Sequence, residues 1–392
     1  MSGAAATGAG TVAFDDGARI DFDELRRERR RRVLTEMERR DLDVLMLGRE
    51  ANARFAAGAR RLWTSGTRPF APGCVVVRGT EDVHLLSVWD DGIPAEIPQH
   101  HLYGISWNPM NLLESLAAIP GLATARRVGV DAMSPLMSQL LPNVTGDAEI
   151  VDGGDAMRAA RAMKSPAEIA CIRTAVALAE GALFSTTPSL RVGIRERQLQ
   201  GVFDRHLTGY GVTTPALEGI GVVTPRDGGE GGAPPLRVIP DDRTLEEGDL
   251  VVFHAGALYA GYEGDVARTF PVGEPIPAMH ALAQRAHDTL AAVVAACEPG
   301  VPGTALVDAY ERSGGTRLTQ PIAHGLGLGM EPPLIGTGLP ADSSVLTPGT
   351  VLAVGAYAWE SGVGGVRVVD SVLISDSGPE RLTRASHSPS LS

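Results

Sequence analysis

The chain has 392 residues, 44% hydrophobic and 21% charged, which is typical of a soluble globular protein with two domains. Its formal net charge of −12 argues against nucleic acid or an anionic membrane as partner. Three cysteines without a CxxC spacing argue against a disulfide framework and favour a reducing compartment. Met1–Gly10 lacks signal-peptide character, and no apolar run looks long enough to span a bilayer. We therefore expect a cytoplasmic protein.

Short apolar strands alternate with helical stretches in the first part of the chain, after a Gly/Ala-rich segment at 1–20 that is predicted to be flexible. A helix begins at Asp21, and its basic run Arg26–Arg32 is interpreted as a solvated helix face rather than a nucleic-acid signal. The alternation predicts an α/β domain over 21–154. Its predicted strands are Val44–Leu47, Cys74–Val77, Val83–Leu86 and Val128–Val130, and its further helices are Asn111–Ala118 and Pro135–Leu141.

A second domain is predicted over 155–383, followed by a flexible tail at 384–392. Ser165 is a predicted helix cap, because Pro166 follows it and Glu168 stands three residues later. The remaining predicted strands are Ile220–Val223, Leu250–Tyr259, Ala267–Val272, Val351–Val354 and Val366–Ile374, with helices at Ile194–Thr208, Ala278–Ala296 and Thr304–Ser313.

Four segments of this second domain carry recognisable motifs in a fixed order. They are Met163–Ile169 (MKSPAEI), Gly248–Gly273, His324–Gly327 followed by Glu331-Pro332-Pro333, and Val363–Arg367 with Asp370. Together they resemble the pita-bread family of creatinase, prolidase and aminopeptidase P. The resemblance implies an α/β N-terminal domain followed by an α+β pita-bread domain.

The family's metallopeptidases hold two divalent ions with two Asp, one His and two Glu, since hard cations need anionic oxygens. The resemblance places the second Asp at Asp265 and the His at His324, but the first Asp at His254. The two glutamate positions fall on Gly355 and Val369. One carboxylate then remains of four, so we predict a degenerate metal site and no dinuclear peptidase chemistry.

The residues left at these positions, His254, Asp265 and His324, are predicted to converge and to be catalytic. In one interpretation no cofactor is needed: Asp265 fixes the tautomer of an imidazole, which acts as general acid or base in a hydrolase or lyase that cleaves a C–N bond of a small amino-acid derivative. In a second, the three residues hold one Fe, Zn or Mn ion. In a third, the chain is a non-catalytic protein that binds a small ligand or a protein partner.

Substrate recognition is assigned to four residues. The first domain resembles that of creatinase-type members, which implies a homodimer in which Arg68 meets a substrate carboxylate across the subunits. Arg237, Glu331 and Trp107 are the other predicted substrate-binding residues.

Several residues remain open as alternatives to these. Arg60 and Arg61 could take the place of Arg68. Glu263, two residues before Asp265 on the same strand face, and Glu360 could replace a lost carboxylate.

Overall fold

The computed structural model describes residues 20–59, 73–87, 92–104, 108–212, 220–228, 232–341 and 344–385. In the described chain, contacts separate a first unit that ends at Ala162 from a second unit that begins at Met163. The sequence predicts a domain boundary after residue 154, whereas the structure has it after Ala162. The difference is the helix Gly154–Ala162, which groups with the first unit.

The first unit is a six-stranded mixed sheet with helices. The sheet has the order β4-β3-β2-β1-β5-β6, and β2 pairs antiparallel with β1 and β3 whereas the other neighbours are parallel. This is the α/β domain expected from the sequence. Its helices are α1 (Phe22–Arg39), α2 (Glu50–Ala57), α3 (Pro109–Ala117), α4 (Pro135–Leu140), α5 (Pro142–Thr145) and α6 (Gly154–Ala162), and its strands are β1 (Val44–Leu47), β2 (Cys74–Val77), β3 (Asp82–Leu86), β4 (Leu102–Tyr103), β5 (Arg127–Val130) and β6 (Glu149–Asp152).

Helix α1 shows that its basic run is only partly a solvated face. Asp21 caps the helix by accepting a hydrogen bond from the Glu24 backbone N–H at 2.9 Å. Arg29, however, is only 4% exposed, and its guanidinium lies 5.6 Å from the centre of the Phe55 ring. The interpretation of Arg26–Arg32 as a solvated helix face was therefore wrong at Arg29.

The second unit is built on a larger sheet. Its strands have the order β11-β10-β12-β13-β9-β8-β7, and β14 pairs with β13. Its strands are β7 (Ile220–Val223), β8 (Leu250–Tyr259), β9 (Tyr262–Pro271), β10 (Ala323–Gly327), β11 (Gly329–Ile335), β12 (Val351–Glu360), β13 (Gly364–Ser375) and β14 (Gly378–Arg381), and its helices are α7 (Pro166–Thr186), α8 (Glu196–Gly209), α9 (Pro277–Ala295) and α10 (Thr304–Arg312).

Helix α7 begins where the sequence predicts. The Ser165 side chain accepts the Glu168 N–H, and the Glu168 carboxylate accepts the Ser165 N–H at 2.9 Å, which completes a capping box. By length and composition the segment Pro166–Ser189 could cross a membrane, so the expectation that no run is long enough was wrong. Of its most apolar stretch, 56% is buried, as in a core helix. A Cβ on Gly264 of β9 would lie 2.3 Å from the Val176 nitrogen, so α7 packs directly on the sheet.

The two faces of the second sheet have different roles. One face packs on α9, where Leu282, Leu290 and Val293 join Val354 and Val366 in a buried core. Each such side chain stabilises the fold by about 1.5–3 kcal/mol. Since side chains alternate along a strand, the residues between these core positions point to the opposite face. That opposite face carries the residues of interest.

Candidate active site

Strand register aligns, in one row across four strands, positions that the sequence resemblance assigns to metal ligands. His254 of β8 pairs with Ala267 of β9, Ala267 with Val369 of β13, and Val369 with Gly355 of β12. Asp265 lies two residues before Ala267 and therefore shares its face. The row thus presents His254, Asp265 and the two glutamate positions side by side.

Asp265 lies between two imidazoles. Its Oδ1 is 2.6 Å from Nε2 of His254, and its Oδ2 is 3.3 Å from Nε2 of His324. Nδ1 of His324 lies 3.1 Å from the Gly325 carbonyl oxygen. The Asp265 side chain is 2% exposed and each histidine side chain 13%. A buried carboxylate is therefore shared by two histidines that remain accessible.

The charges of this cluster are mutually stabilising. Burial alone would raise the pKa of Asp265, but the charge and hydrogen bonds of His254 and His324 outweigh it and hold that pKa well below its usual range. For His324, burial favours the neutral ring, yet hydrogen bonding to Asp265 and its charge raise the pKa above its ordinary value. Asp265 is therefore ionised near neutral pH, and His324 is biased towards the imidazolium form.

The two histidines differ in how many of their ring nitrogens face an oxygen atom. Both ring nitrogens of His324 face oxygens, which suits an imidazolium that donates twice. His254 faces Asp265 through Nε2 alone among the described residues. When that nitrogen carries the proton, Nδ1 keeps its lone pair and can accept a proton from substrate or water.

Glu263 is a second buried carboxyl on the same face of β9, and it is 5% exposed. Burial raises its pKa to about 7, and the negative charge of Asp265 acts in the same direction. His324 acts in the opposite direction. A carboxyl that titrates near neutrality beside an ion pair is suited to donate or accept a proton in catalysis.

Replacing Glu263 with Gln should flatten the dependence of stability on pH. The folded protein holds the Glu263 proton up to about pH 7, whereas the unfolded chain releases it near 4.5. The unfolding free energy of the wild type should therefore fall as pH rises through this window, by about 1–3 kcal/mol more than in Glu263→Gln. Urea unfolding at about pH 5 and about pH 8 measures the difference. Parallel pH profiles for the two proteins would contradict the assignment.

Glu331, a predicted substrate-binding residue, is held in a buried ion pair. Its Oε2 lies 2.8 Å from Nζ of Lys164, and its Oε1 accepts the Leu328 N–H at 3.1 Å. The Lys164 and Glu331 side chains are 3% and 7% exposed. The negative charge of Glu331 is nevertheless close enough to raise the pKa of Glu263. Glu331 therefore contributes to the field of the cluster while its carboxylate is already paired.

The donor set at the former ligand positions does not suit two divalent ions. Gly355 and Val369 pair across β12 and β13, and a Cβ on Gly355 would lie 3.0 Å from Cγ2 of Val369. A valine methyl thus stands where the sequence resemblance places a glutamate carboxylate. Hydrocarbon supplies no ligand to Mg²⁺, Mn²⁺ or Zn²⁺.

Arg367 is a cation on the active-site face that the sequence reasoning did not single out as functional. It lies two residues before Val369 on β13, so the two side chains share a face. Burial lowers the pKa of Arg367, while the charge of Asp265 raises it. Its Nη1 donates to Gln320 Oε1 at 2.8 Å. Because side chains alternate along a strand, the sequence alone would have placed Arg367 on the same face as Val369.

Arg237 lies in a different network. Its guanidinium forms a two-pronged ion pair with Glu196, at 2.7 and 2.9 Å, and a further ion pair with Asp241. It also donates to the Val223 carbonyl, and Val223 pairs with Val251, three residues along β8 from His254. That separation is roughly 10 Å along the strand. The structure thus gives Arg237 carboxylate partners of its own.

The remaining predicted residues are placed as follows. Glu360 is 48% exposed and lies 3.4 Å from Arg285. The other four, Arg60, Arg61, Arg68 and Trp107, lie outside the described residues.

Comparison with known proteins gives the family. Residues 170–376 match metallopeptidase family M24. The chain is 24% identical over 376 residues to the Xaa-Pro dipeptidase of Pyrococcus horikoshii, covering 92% of this chain and 98% of that protein. It is 30% identical over 253 residues to the uncharacterized peptidase YqhT of Bacillus subtilis, covering 63% and 68%.

Solved structures agree on the fold. The prolidase of Pyrococcus horikoshii superimposes with a TM-score of 0.71 at 21% identity, covering 92% of this chain and 99% of that one. The prolidase of Thermococcus sibiricus gives a TM-score of 0.73 at 19% identity, covering 94% and 99%. The predicted fold class is confirmed, and the chain belongs to metallopeptidase family M24, as a prolidase-like member with the pita-bread fold.

Proposed function

We propose that this chain is a hydrolase or lyase that cleaves a C–N bond in a small amino-acid derivative by acid–base chemistry, without the dinuclear metal centre of its family's peptidases. The observation that carries the proposal is the Asp265 carboxylate, shared between His254 and His324 at 2.6 and 3.3 Å. Each imidazole faces a different oxygen of that carboxylate. This arrangement suits hydrogen bonding better than joint coordination of one ion, in which all donor atoms point to one centre.

The residues divide the proton transfers between them. Nδ1 of His254 takes a proton from a nucleophilic water or from the substrate, and Asp265 stabilises the imidazolium that forms. Glu263, protonated below about pH 7, gives a proton to the leaving nitrogen. The positive charge of His324 stabilises negative charge that develops on the substrate.

Arg367 gives the proposal its substrate class. The second domain has lost the positive charge of two metal ions, and a substrate carboxylate needs a fixed cation in their place. Arg367 shares the face of Asp265 and Val369, and an arginine side chain keeps its charge near neutral pH. We assign to it the recognition of a substrate carboxylate, in place of Arg237.

Activity should be independent of added metal. We expect protein treated with EDTA to keep its turnover on a panel of dipeptides, N-substituted amino acids and amidines, and to show no Xaa-Pro dipeptidase activity with added Mn²⁺ or Co²⁺. The reason is the missing carboxylates at Gly355 and Val369. Released amine or ammonia is measured for each compound, with and without metal.

Three results would replace the proposal. Xaa-Pro turnover of about one per second or faster with Mn²⁺ would make the chain a metallopeptidase like its relatives. Activity that EDTA removes and one equivalent of Fe²⁺, Zn²⁺ or Mn²⁺ restores would favour a single ion held by His254, Asp265 and His324. Binding of panel compounds without any turnover would favour a non-catalytic binding protein.

We also propose a homodimer in which Arg68 serves the partner's site. Light scattering should give twice the 41.0 kDa chain mass. In such a dimer, Arg68→Ala should raise the KM for a carboxylate substrate about tenfold or more while the mass stays unchanged. Arg126→Ala, which removes an exposed arginine of the first unit, is the matched control. A raised KM in Arg60→Ala or Arg61→Ala instead would assign the role to that arginine. A monomer, or an Arg68→Ala variant with unchanged KM, would contradict the proposal.

A further inference from the structure

A cluster of polar residues in the first unit is far in sequence from the candidate active site. Asp82 and His84 lie on β3, and His101 ends the 3₁₀ turn Gln99–His101 that leads into β4. Strands β3 and β4 are parallel, with Leu85 beside Leu102. The preceding residues, His84 and His101, are therefore direct neighbours, and their ring centres lie 4.2 Å apart.

One donor atom from each of Asp82, His84 and His101 lies within 4.8 Å of the others. Ligands of one tetrahedral zinc ion lie about 2.0–2.2 Å from the metal, and so about 3.3–3.6 Å from one another. Small side-chain movements would therefore bring the three donor atoms to the spacing of zinc ligands. Two imidazoles and one carboxylate are a donor set that zinc and neighbouring transition metals prefer.

His84 supplies an independent observation. Its side chain is fully buried, and its Nε2 has no hydrogen-bond partner among the described residues. A buried nitrogen without a hydrogen-bond partner destabilises the fold unless a ligand or an ion binds it. The stack with His101 brings the two rings together but gives that nitrogen neither a donor nor an acceptor.

The other nitrogen of His84 is already oriented. Nδ1 lies 3.3 Å from the hydroxyl oxygen of Tyr103, which can accept a hydrogen bond from a protonated Nδ1. A proton on Nδ1 leaves the lone pair on the buried Nε2, which is the arrangement found in metal-bound histidines with an oxygen partner behind them.

We propose that Asp82, His84 and His101 form a binding site for a divalent transition-metal ion of the zinc type. The ion joins β3 to the turn that precedes β4, the edge strand of the first sheet. It is held by three protein ligands, which leaves a position for water. It is remote in sequence from His254, Asp265 and His324, so the metal content of the whole protein does not by itself report on the catalytic cluster.

The test is zinc binding to the full-length protein after metal is removed with EDTA and dialysis. We expect one equivalent of Zn²⁺ by calorimetry and elemental analysis, a higher Tm in its presence, and visible d–d bands when Co²⁺ replaces it. Asp82→Asn and His101→Gln should each weaken binding about tenfold or more, since even indirect ligand partners cost that much. His100→Gln changes the exposed neighbouring histidine and should leave binding unchanged.

The Asp265→Asn variant tests whether the zinc site is independent of the catalytic cluster. It should still bind one equivalent of Zn²⁺. The inference is overturned if metal-free protein takes up no zinc, if His100→Gln weakens binding as much as His101→Gln, or if Asp265→Asn removes the bound ion. Circular dichroism checks that each variant is folded. Asp82→Asn keeps the shape of a partly exposed side chain, so it carries the test if His101→Gln fails to fold.

Discussion

Asp265→Asn should lower turnover about 100-fold or more, which corresponds to about 2.7 kcal/mol of transition-state stabilisation, and leave the Tm close to that of the wild type. The substitution removes the negative charge that stabilises an imidazolium at His254. The asparagine keeps an oxygen that accepts a hydrogen bond from His254, and its amide N–H can donate a hydrogen bond to a neutral His324. The buried contacts at 2.6 and 3.3 Å can therefore persist. Turnover is measured on the compound that the panel identifies, and Tm by calorimetry.

His254→Ala tests the same mechanism through the proposed base. Its loss of turnover should be at least as large, because the lone pair that accepts the proton disappears with the ring. His100→Ala, which removes an exposed histidine of the first unit, is the matched control and should keep full activity. If Asp265→Asn retains turnover, or if both active-site variants unfold, the cluster is a packed remnant and the acid–base mechanism fails.

Most of the fold could be predicted from the sequence because its strands and helices follow simple periodicities. Strand β8 was predicted with its observed limits, Leu250–Tyr259, and the capping box at Ser165 was correct. The prediction failed where polar residues or glycine interrupt the apolar pattern. Strand β9 was predicted from Ala267 but begins at Tyr262, because Glu263, Gly264 and Asp265 do not read as a buried strand.

Strands β10 and β11 were missed for a related reason. Residues 325–329 alternate glycine with leucine, and β11 contains Pro332-Pro333. Proline lacks a backbone donor and weakens a strand prediction, yet it is tolerated at a sheet edge, and β11 is the edge strand. The histidine motif of the candidate site therefore lies in two strands whose glycine and proline content prevents their prediction from sequence.

The composition of the candidate site was accessible from the motifs, whereas its charge state was not. Motif order placed His254, Asp265 and His324 at former ligand positions. Only the structure shows that Glu331 is paired with Lys164, that Arg237 is paired with Glu196, and that Glu263 is buried. Such pairings depend on residues far apart in sequence, so no local pattern reports them.

Asp370→Ala should lower the free energy of unfolding by about 3–5 kcal/mol, because it removes the carboxylate that forms an ion pair with the buried Arg268. Nη2 of Arg268 lies 2.8 Å from Oδ1 of Asp370, and the two side chains are 0% and 1% exposed. An arginine side chain carries its charge throughout the pH range in which proteins fold. Urea unfolding followed by far-UV circular dichroism measures the loss.

The double variant Arg268→Met/Asp370→Ala should recover part of this loss, because no uncompensated charge remains. A decrease below about 1 kcal/mol for Asp370→Ala, or strictly additive effects in the double variant, would show that the pair is not coupled. Asp265 and Asp370 are equally buried on neighbouring strands, but their partners differ. Arginine holds its proton permanently and fixes Asp370 as a structural anion, whereas imidazoles exchange protons near neutral pH. Under the proposed mechanism, that difference in partners is why Asp265, beside the histidines, serves acid–base chemistry, whereas Asp370, beside Arg268, stabilises the fold.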